Sequence, residues 1–405
     1  MRANNQALNG RATKHLPARA LERQVNRTLR ILRLADVPDN RCGGMSRVMY
    51  YTGDVLAEQG HTVDYVFSKE LVSAVPASVR RFWIPWLVPG IVAQRQRQRG
   101  RYDVIELHEP LALGYVLARR RDKRLPPAVA ITYGVEDRSR AAAFSYRRNK
   151  RLAIACKTRL AARALAWQAR RGIQGCAAVI CFNSEDRDLL ARTGDPERVV
   201  VSHSGITDRF LEAGRQAWAR RSANAGILFL GTWIERKGVF DLVPAVSQVL
   251  RERPDAYFTA AGCGVAAPAV VGQFEPALQG RITALPRIQS EEELIALFAR
   301  HAIFVLPSIF EGQPLSLLEA AAMGLAPVTT NVCGMRDFVR HEENGLLVQP
   351  GDVEGLTANL LRLVCDPALT SRLAREAQDS VQTMTWRSAA AKMLEAYQIA
   401  CLVQR

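Results

Sequence analysis

Short apolar runs recur along this chain, each followed by a turn and then by a stretch with helical spacing, and this alternation restricts the fold more than any other feature. Leu29–Asp36, His61–Phe67, Tyr102–His108, Ala128–Tyr133, Ala177–Cys181 and Val199–Ser202 read as buried strands. Helical stretches fall between them. The first runs from Ser46 to Gln59, with Ser46 as its cap and Gly60 as its stop, and the next is Leu111–Arg121. A long Ala- and Arg-rich helix is expected from Ser139 to Arg171, and another from Ser184. Apolar strands separated by helices build a parallel sheet covered on both faces.

Around Thr207–Asn224 the chain turns polar and reads as a linker. The alternation restarts at Gly226, with strands at Ala256–Ala261, Arg281–Leu285, Ala302–Leu306, Ala326–Thr329 and Gly345–Val348. Val239–Arg251, Glu291–Ala299, Leu315–Met323 and Met335–Arg340 read as the intervening helices, and two more follow from Val353 and Thr385. The fold class is therefore α/β, with two Rossmann-like domains facing each other across a cleft. A chain of 405 residues is long enough for two cores. Residues 1–27 lack apolar periodicity and read as a mobile basic arm. Residues 28–206 form the first domain and 207–385 the second.

No apolar run reaches the roughly 18 residues needed to span a bilayer, and the first thirty residues carry no apolar core of a secretory signal. The expected location is the cytoplasm, with peripheral attachment to the inner face of a membrane. The eight cysteines form no Cys-x-x-Cys pair and no zinc-like grouping with His, so neither a structural metal nor a disulfide is expected. The net charge of +16 is unevenly placed. Residues 1–205 hold about 36 of the 55 Lys and Arg but only about 18 of the 39 Asp and Glu. Such an excess reads either as a solvated basic face or as attraction to an anionic surface or acceptor.

The chemistry concentrates at Phe310–Glu319 (FEGQPLSLLE), which follows the apolar strand and opens a helix. Glu311 lies on the loop and Glu319 about one turn into the helix, so both carboxylates can face the crevice beyond the strand's carboxyl end. Paired carboxylates suit a polyol, because each accepts hydrogen bonds from adjacent hydroxyls. Gly312 permits close backbone approach, and the N–H groups near Ser316 and Leu317 can receive a diphosphate at the helix start.

This segment resembles the E-x7-E element of retaining glycosyltransferases of family 4, which share the GT-B fold. Phe229–Gly238 (FLGTWIERKG) resembles the family's strand-to-helix loop, and Ala261–Gly264 (AGCG) its next glycine turn. Ala326–Arg340 and Glu343–Pro350 resemble the stretch that follows the acids. In the first half, Cys42–Gly44, His108, Asn183–Ser184 and Ser204–Ile206 fall where the family has a glycine loop, a strand-end His and two turns. The resemblance implies that Lys237 meets the donor diphosphate, Glu319 the ribose hydroxyls, and Glu311 the hydroxyls of the transferred sugar. It implies that His108 contacts that sugar from across the cleft, and that Gly43 and Gly44 admit the diphosphate and acceptor. Thr232 stands where the family usually has Arg, and Arg236 is the candidate substitute. Residues 386–405, beginning at Trp386, are implied to cross back onto the first domain.

The implied reaction moves a hexosyl unit from a nucleotide-sugar donor to a saccharide or lipid-linked acceptor, with retention of configuration. No first-domain carboxylate is placed as a nucleophile, so a covalent glycosyl intermediate is not expected; the resemblance implies front-side attack, in which the departing phosphate takes the acceptor's proton and no cofactor or metal is required. The alternatives on this fold are a nucleotide-sugar epimerase, a phosphorylase-like enzyme or a non-catalytic sugar-binding relative. Arg80–Arg101 sets Phe82, Trp83, Ile84, Trp86, Leu87 and Val88 between arginine clusters, a composition suited either to an anionic membrane surface or to packing within the domain. No nucleic-acid module is present in the sequence, and nucleic acid is not an expected partner.

Overall fold

The structure, a computed structural model, describes residues 27–41, 43–71, 79–153, 156–219 and 226–403. The expected arm thus lies outside the described residues except for Arg27, which pairs with Asp103 at 2.5 Å. Two six-stranded parallel sheets form two Rossmann-like domains. The first comprises β1 (Arg30–Leu34), β2 (Thr62–Val66), β3 (Val104–His108), β4 (Ala128–Ile131), β5 (Ala178–Cys181) and β6 (Val199–Val201), in the order β2-β1-β3-β4-β5-β6. The second comprises β7 (Gly226–Leu230), β8 (Tyr257–Ala261), β9 (Ile282–Leu285), β10 (Ile303–Leu306), β11 (Ala326–Thr330) and β12 (Leu346–Val348), in the order β12-β11-β10-β7-β8-β9.

In each sheet the strand order reverses once, between β1 and β3 and between β7 and β10. Loops leaving the carboxyl ends of such neighbours diverge to opposite faces and open a crevice. The first sheet is covered on one face by the helices Arg80–Arg99, Ala112–Arg121 and Cys156–Gly175, whose Ile84, Val88, Tyr115 and Ile173 share a core with Leu32 and Leu107. Its other face meets Gly44–Glu58 and the last helix, Trp386–Val403, through Val48, Leu56, Ala390, Met393 and Tyr397. The carboxyl-terminal helix therefore does return to the first sheet. Beneath it, fully buried Arg33 donates to Tyr397 Oη at 2.8 Å, Thr52 Oγ1 at 2.8 Å and the Met49 carbonyl at 2.6 Å, and lies 3.5 Å from Glu106.

Three expectations change. The polar linker at 207–224 is largely the helix Asp208–Ala219, whose Phe210 and Leu211 enter the second core; apolar residues spaced too sparsely to read as periodic still bury one face. The single long helix over 139–171 is two, Glu136–Asn149 and Cys156–Gly175, broken where Arg151 takes a left-handed φ of 55°. Ser46 does not cap the first helix. That helix starts at Gly44, and Ser46 is buried in its first turns.

Trp386 anchors the return crossing, buried and stacked on Tyr51 with ring centroids 5.1 Å apart. Removing a buried indole costs about 3–5 kcal/mol. Trp386→Ala is expected to lower the denaturation midpoint by a shift of that size; an unchanged midpoint would show that the helix is held elsewhere.

Candidate active site

A cleft of about 890 Å³ lies between the carboxyl ends of the two sheets. From the second domain come the loops after β7 and β10, the two strands at its switch point. After β7 the chain makes a tight turn at Glu235–Lys237, and Gly238 closes it with a left-handed φ of 74°. A Cβ on Gly238 would lie 1.9 Å from the Pro307 carbonyl oxygen, so only glycine lets the two loops touch here. The Ile309 N–H donates to the Arg236 carbonyl at 2.8 Å and completes the seam.

This packing brings the predicted side chains together. Lys237 Nζ sits 2.8 Å from Glu311 Oε1, and Arg236 pairs with the same oxygen while also donating to the Phe310 carbonyl at 3.1 Å. Burial pushes the Glu311 carboxyl up, but Lys237 and Arg236 outweigh it and hold the group below the usual glutamate range. Arg236 thus points with Lys237 into the cleft, which Thr232 also lines. Glu319 faces the same cleft from the helix Leu315–Ala322 and is bound by Arg47 of the first domain at 2.7 Å. Here burial exceeds the pull of Arg47 and raises the carboxyl.

The glycines divide. Gly44 lines the cleft with open space where a side chain would stand, whereas Gly43 sits behind it, against Ser46 and Asn40. Gly312 lines the cleft too, yet its close approach is to protein: a Cβ there would lie 2.3 Å from the Tyr133 carbonyl oxygen. Ser316 lines the cleft at the helix start. Leu317 does not: it is buried in the second core, and its N–H is taken by the Pro314 carbonyl at 3.1 Å, leaving the first turn as the exposed end.

His108 is the clearest departure. It ends β3 as expected, but it is buried and does not line the cleft. Alternate strand residues share a face, so Glu106 lies beside it and takes Nε2 at 3.0 Å. Burial alone would raise Glu106, but Arg33, His108 and Tyr397 draw it down to about 2. His108 is therefore a member of a buried charged network under Tyr133, whose ring centroid is 5.6 Å away and which itself faces the cleft.

Sequence reasoning missed Arg47, Tyr133 and Glu109, all of which line the cleft. Glu109 is the first-domain carboxyl that the sequence did not reveal. Its oxygens accept from Thr132 Oγ1 and from the Glu136 N–H at 3.1 Å, which fixes the loop after β4. The signal available was its place just past β3, beside the switch point. Among the described residues no group of three or more His, Cys, Asp or Glu is arranged to hold a metal ion.

Burial raises the Glu109 carboxyl to about 7. Folding thus tightens its proton, so this group's contribution to stability is present at low pH and falls as pH rises from the ordinary glutamate range through about 7. Glu109→Gln is expected to remove that fall, so that the variant gains on the wild type in melting temperature from about pH 5 to about pH 8. Parallel melting profiles would count against it.

Residues 42–210 match the family Glycosyltransferase Family 4, and residues 224–366 match Glycosyl transferases group 1. A glycogen synthase of Mycobacterium tuberculosis is 31% identical over 49% of this chain and 48% of its own, so the chain spans about half of that relative. The Escherichia coli UDP-Gal:alpha-D-GlcNAc-diphosphoundecaprenol alpha-1,3-galactosyltransferase is 21% identical over 80% of this chain and 86% of its own. Among solved structures, the sucrose-phosphate synthase of Thermosynechococcus elongatus superposes with a TM-score of 0.72 at 20% identity, covering 91% of this chain and 98% of that one. With matching domains in both halves, opposed parallel sheets and acids and cations meeting at their ends, the chain belongs to the family 4 type glycosyltransferases of GT-B fold.

Proposed function

We propose that this enzyme transfers a hexosyl unit from a nucleotide-diphosphate sugar to a saccharide or lipid-linked acceptor, with retention of configuration and without a metal ion. The observation that carries the reading is the convergence of Lys237, Arg236, Glu311 and Glu319 on one cleft. In this reading the diphosphate lies against Lys237, Arg236 and the first turn of the helix Leu315–Ala322. Their positive charge meets the charge that grows on the leaving group as the glycosidic bond breaks. Arg236 takes the part that an Arg at position 232 would have in the family. Glu311, charged and held by two cations, accepts from hydroxyls of the transferred sugar, and Glu319 from the ribose.

Front-side attack is supported by the state of Glu109. Both of its oxygens already hold the loop after β4, so using it either as the nucleophile of a double displacement or as the general base of an inverting attack would dismantle that loop. Attack from the leaving-group side, with the departing phosphate taking the acceptor's proton, asks for no such base. A lipid-linked acceptor is supported by the Escherichia coli relative, whose name specifies a diphosphoundecaprenol acceptor and a UDP-sugar donor. The basic excess of residues 1–205 supports peripheral attachment to an anionic membrane.

A nucleotide-release assay over a panel of donors tests the reading. Turnover of none of them, with no donor bound, would remove it, and an epimerase would betray itself by altering the sugar without releasing nucleotide. Lys237→Ala is expected to lower turnover by about 10²–10³-fold, and Glu319→Ala to lower kcat/KM by at least about tenfold, both with the fold intact by circular dichroism. Wild-type rates in either variant would mean that the side chain has no part in donor use. Chelation by EDTA is expected to leave the rate unaltered; abolition restored by a divalent cation would replace the cation roles given to Lys237 and Arg236.

A further inference from the structure

The helices Arg80–Arg99 and Cys156–Gly175 contain no Asp or Glu, although together they carry much of the first domain's positive charge. Their inner faces are accounted for. Ile84, Val88 and Val92 of the first, and Ile173 of the second, enter the core of the first sheet. Both pack on Ala112–Arg121 so closely that a Cβ on Gly114 would meet the Pro85 carbonyl at 2.1 Å and one on Gly172 the Leu113 nitrogen at 2.9 Å. Gln168 Nε2 donates to the Arg81 carbonyl at 2.9 Å and fixes neighbouring turns of the two helices.

Their outer faces are unusual for a surface. Trp83 is 59% exposed, Trp86 50%, Leu87 42%, Leu160 70% and Trp167 56%. On the second helix Leu160, Arg163, Trp167 and Arg171 follow one another at helical spacing, so apolar and cationic groups alternate along a single outward stripe. Arg159, Arg163 and Arg171 are exposed and form no ion pair with any described residue. The arginines singled out in the sequence behave differently: Arg95 pairs with Glu70 and Arg99 approaches Asp64 at 3.5 Å, so part of their charge is spent at the far end of the first helix.

We infer that this two-helix face docks on an anionic phospholipid surface. The bilayer interface accommodates what the face displays: indoles partition to the headgroup level, and arginines meet lipid phosphates while their stems stay in apolar contact. An acidic protein would match the charge but leave the three indoles unexplained, and nucleic acid would find no groove among them. Arg81 places the face relative to the chemistry. It lies two residues before Trp83 and five before Trp86, pairs with Glu136 at 3.1 Å, and lines the cleft together with it. The first-domain wall of the cleft therefore begins within a few residues of two of the indoles, and an acceptor with a lipid tail and a sugar head would reach it from that end. That last step rests on the proposed transfer reaction; the docking itself does not.

The test is sedimentation of the full chain with vesicles of phosphatidylcholine alone and of phosphatidylcholine mixed with phosphatidylglycerol. Binding is expected only to the anionic vesicles, and to weaken at least about tenfold in Arg159→Gln/Arg163→Gln/Arg171→Gln and again in Trp83→Ser/Trp86→Ser/Trp167→Ser. Both variants are expected to keep the wild-type melting temperature and nucleotide release in solution. Equal vesicle binding by wild type and both variants overturns the inference, as does retention on DNA or on an acidic protein with none on vesicles. Lost vesicle binding alongside intact donor turnover in the unaltered chain would discard the docking face and leave the transferase. Variant-sensitive vesicle binding without donor turnover would do the reverse.

Discussion

The chain passes between its two sheets twice, and the two crossings touch. The Ile206 N–H donates to the Met384 carbonyl at 2.8 Å, and Ile206 forms a bridge with Thr385. Gly205 makes the contact feasible, because a Cβ there would lie 2.2 Å from the Trp386 nitrogen. With exit and return bound side by side, the carboxyl ends of both sheets face inward, and the β1/β3 and β7/β10 switch points oppose each other. The same device recurs within the cleft, where Gly312 abuts the Tyr133 backbone and Gly134 abuts the Phe310 ring. Side chains at these positions would hold the domains apart, and Arg47 could not reach Glu319.

Charge follows this geometry. Arg47 reaches Glu319, Arg147 reaches Glu235 at 2.7 Å, and Lys150 reaches Asp241 at 2.7 Å, each from a basic first half to an acid of the second. Part of the lopsided charge seen along the sequence is thus absorbed between domains. The break in the expected long helix explains how: Arg147 and Lys150 sit at the end of Glu136–Asn149, where the chain turns toward the second domain. The more exposed of the three, Arg147 with Glu235, contributes little to stability, and the other two bury their acids. Their larger effect is on which orientations of the two domains are compatible with paired buried acids such as Asp241 and Glu319.

Most of the fold was legible because parallel strands are apolar throughout and every one lies close to its sequence-read position, with the second series restarting at Gly226. The helix Asp208–Ala219 was not, since its buried face rests on few apolar residues and polar composition masked it. At the site, Glu311, Glu319 and Lys237 were legible because Glu311 and Lys237 follow adjacent strands closely and Glu319 lies on the helix that the first of these loops opens. His108 was misplaced for a reason that lies outside any local pattern: Glu106 could capture it only because Arg33 and Tyr397, distant in sequence, already fix that acid beneath the last helix. Arg47 and Glu109 escaped notice for the complementary reason. Neither belongs to a recognisable motif, and each becomes a cleft residue only when the domains are apposed.

The resulting cleft is not a basic funnel, despite the charge of the half that forms one wall. Arg41, Arg47, Arg81, Arg236, Lys237 and Arg287 line it alongside Glu109, Glu136, Glu291, Glu311 and Glu319. A polyanion threaded through such a site would meet carboxylates as often as cations, and those carboxylates could accept nothing from phosphate. A ligand that is anionic at one point and rich in hydroxyls on both sides satisfies the arrangement. In the proposed reading its phosphates meet Lys237 and Arg236 while its hydroxyls donate to Glu311, which the same cations hold below the usual glutamate range. Glu311 illustrates the coupling. Buried alone it would be protonated more readily and would lose acceptor strength, so Lys237 and Arg236 keep this acid an acceptor; in the proposed reading the same two cations receive the diphosphate. Threonine at 232 carries no charge, and the second cation beside Glu311 is Arg236, which touches both the acid and the loop that carries it.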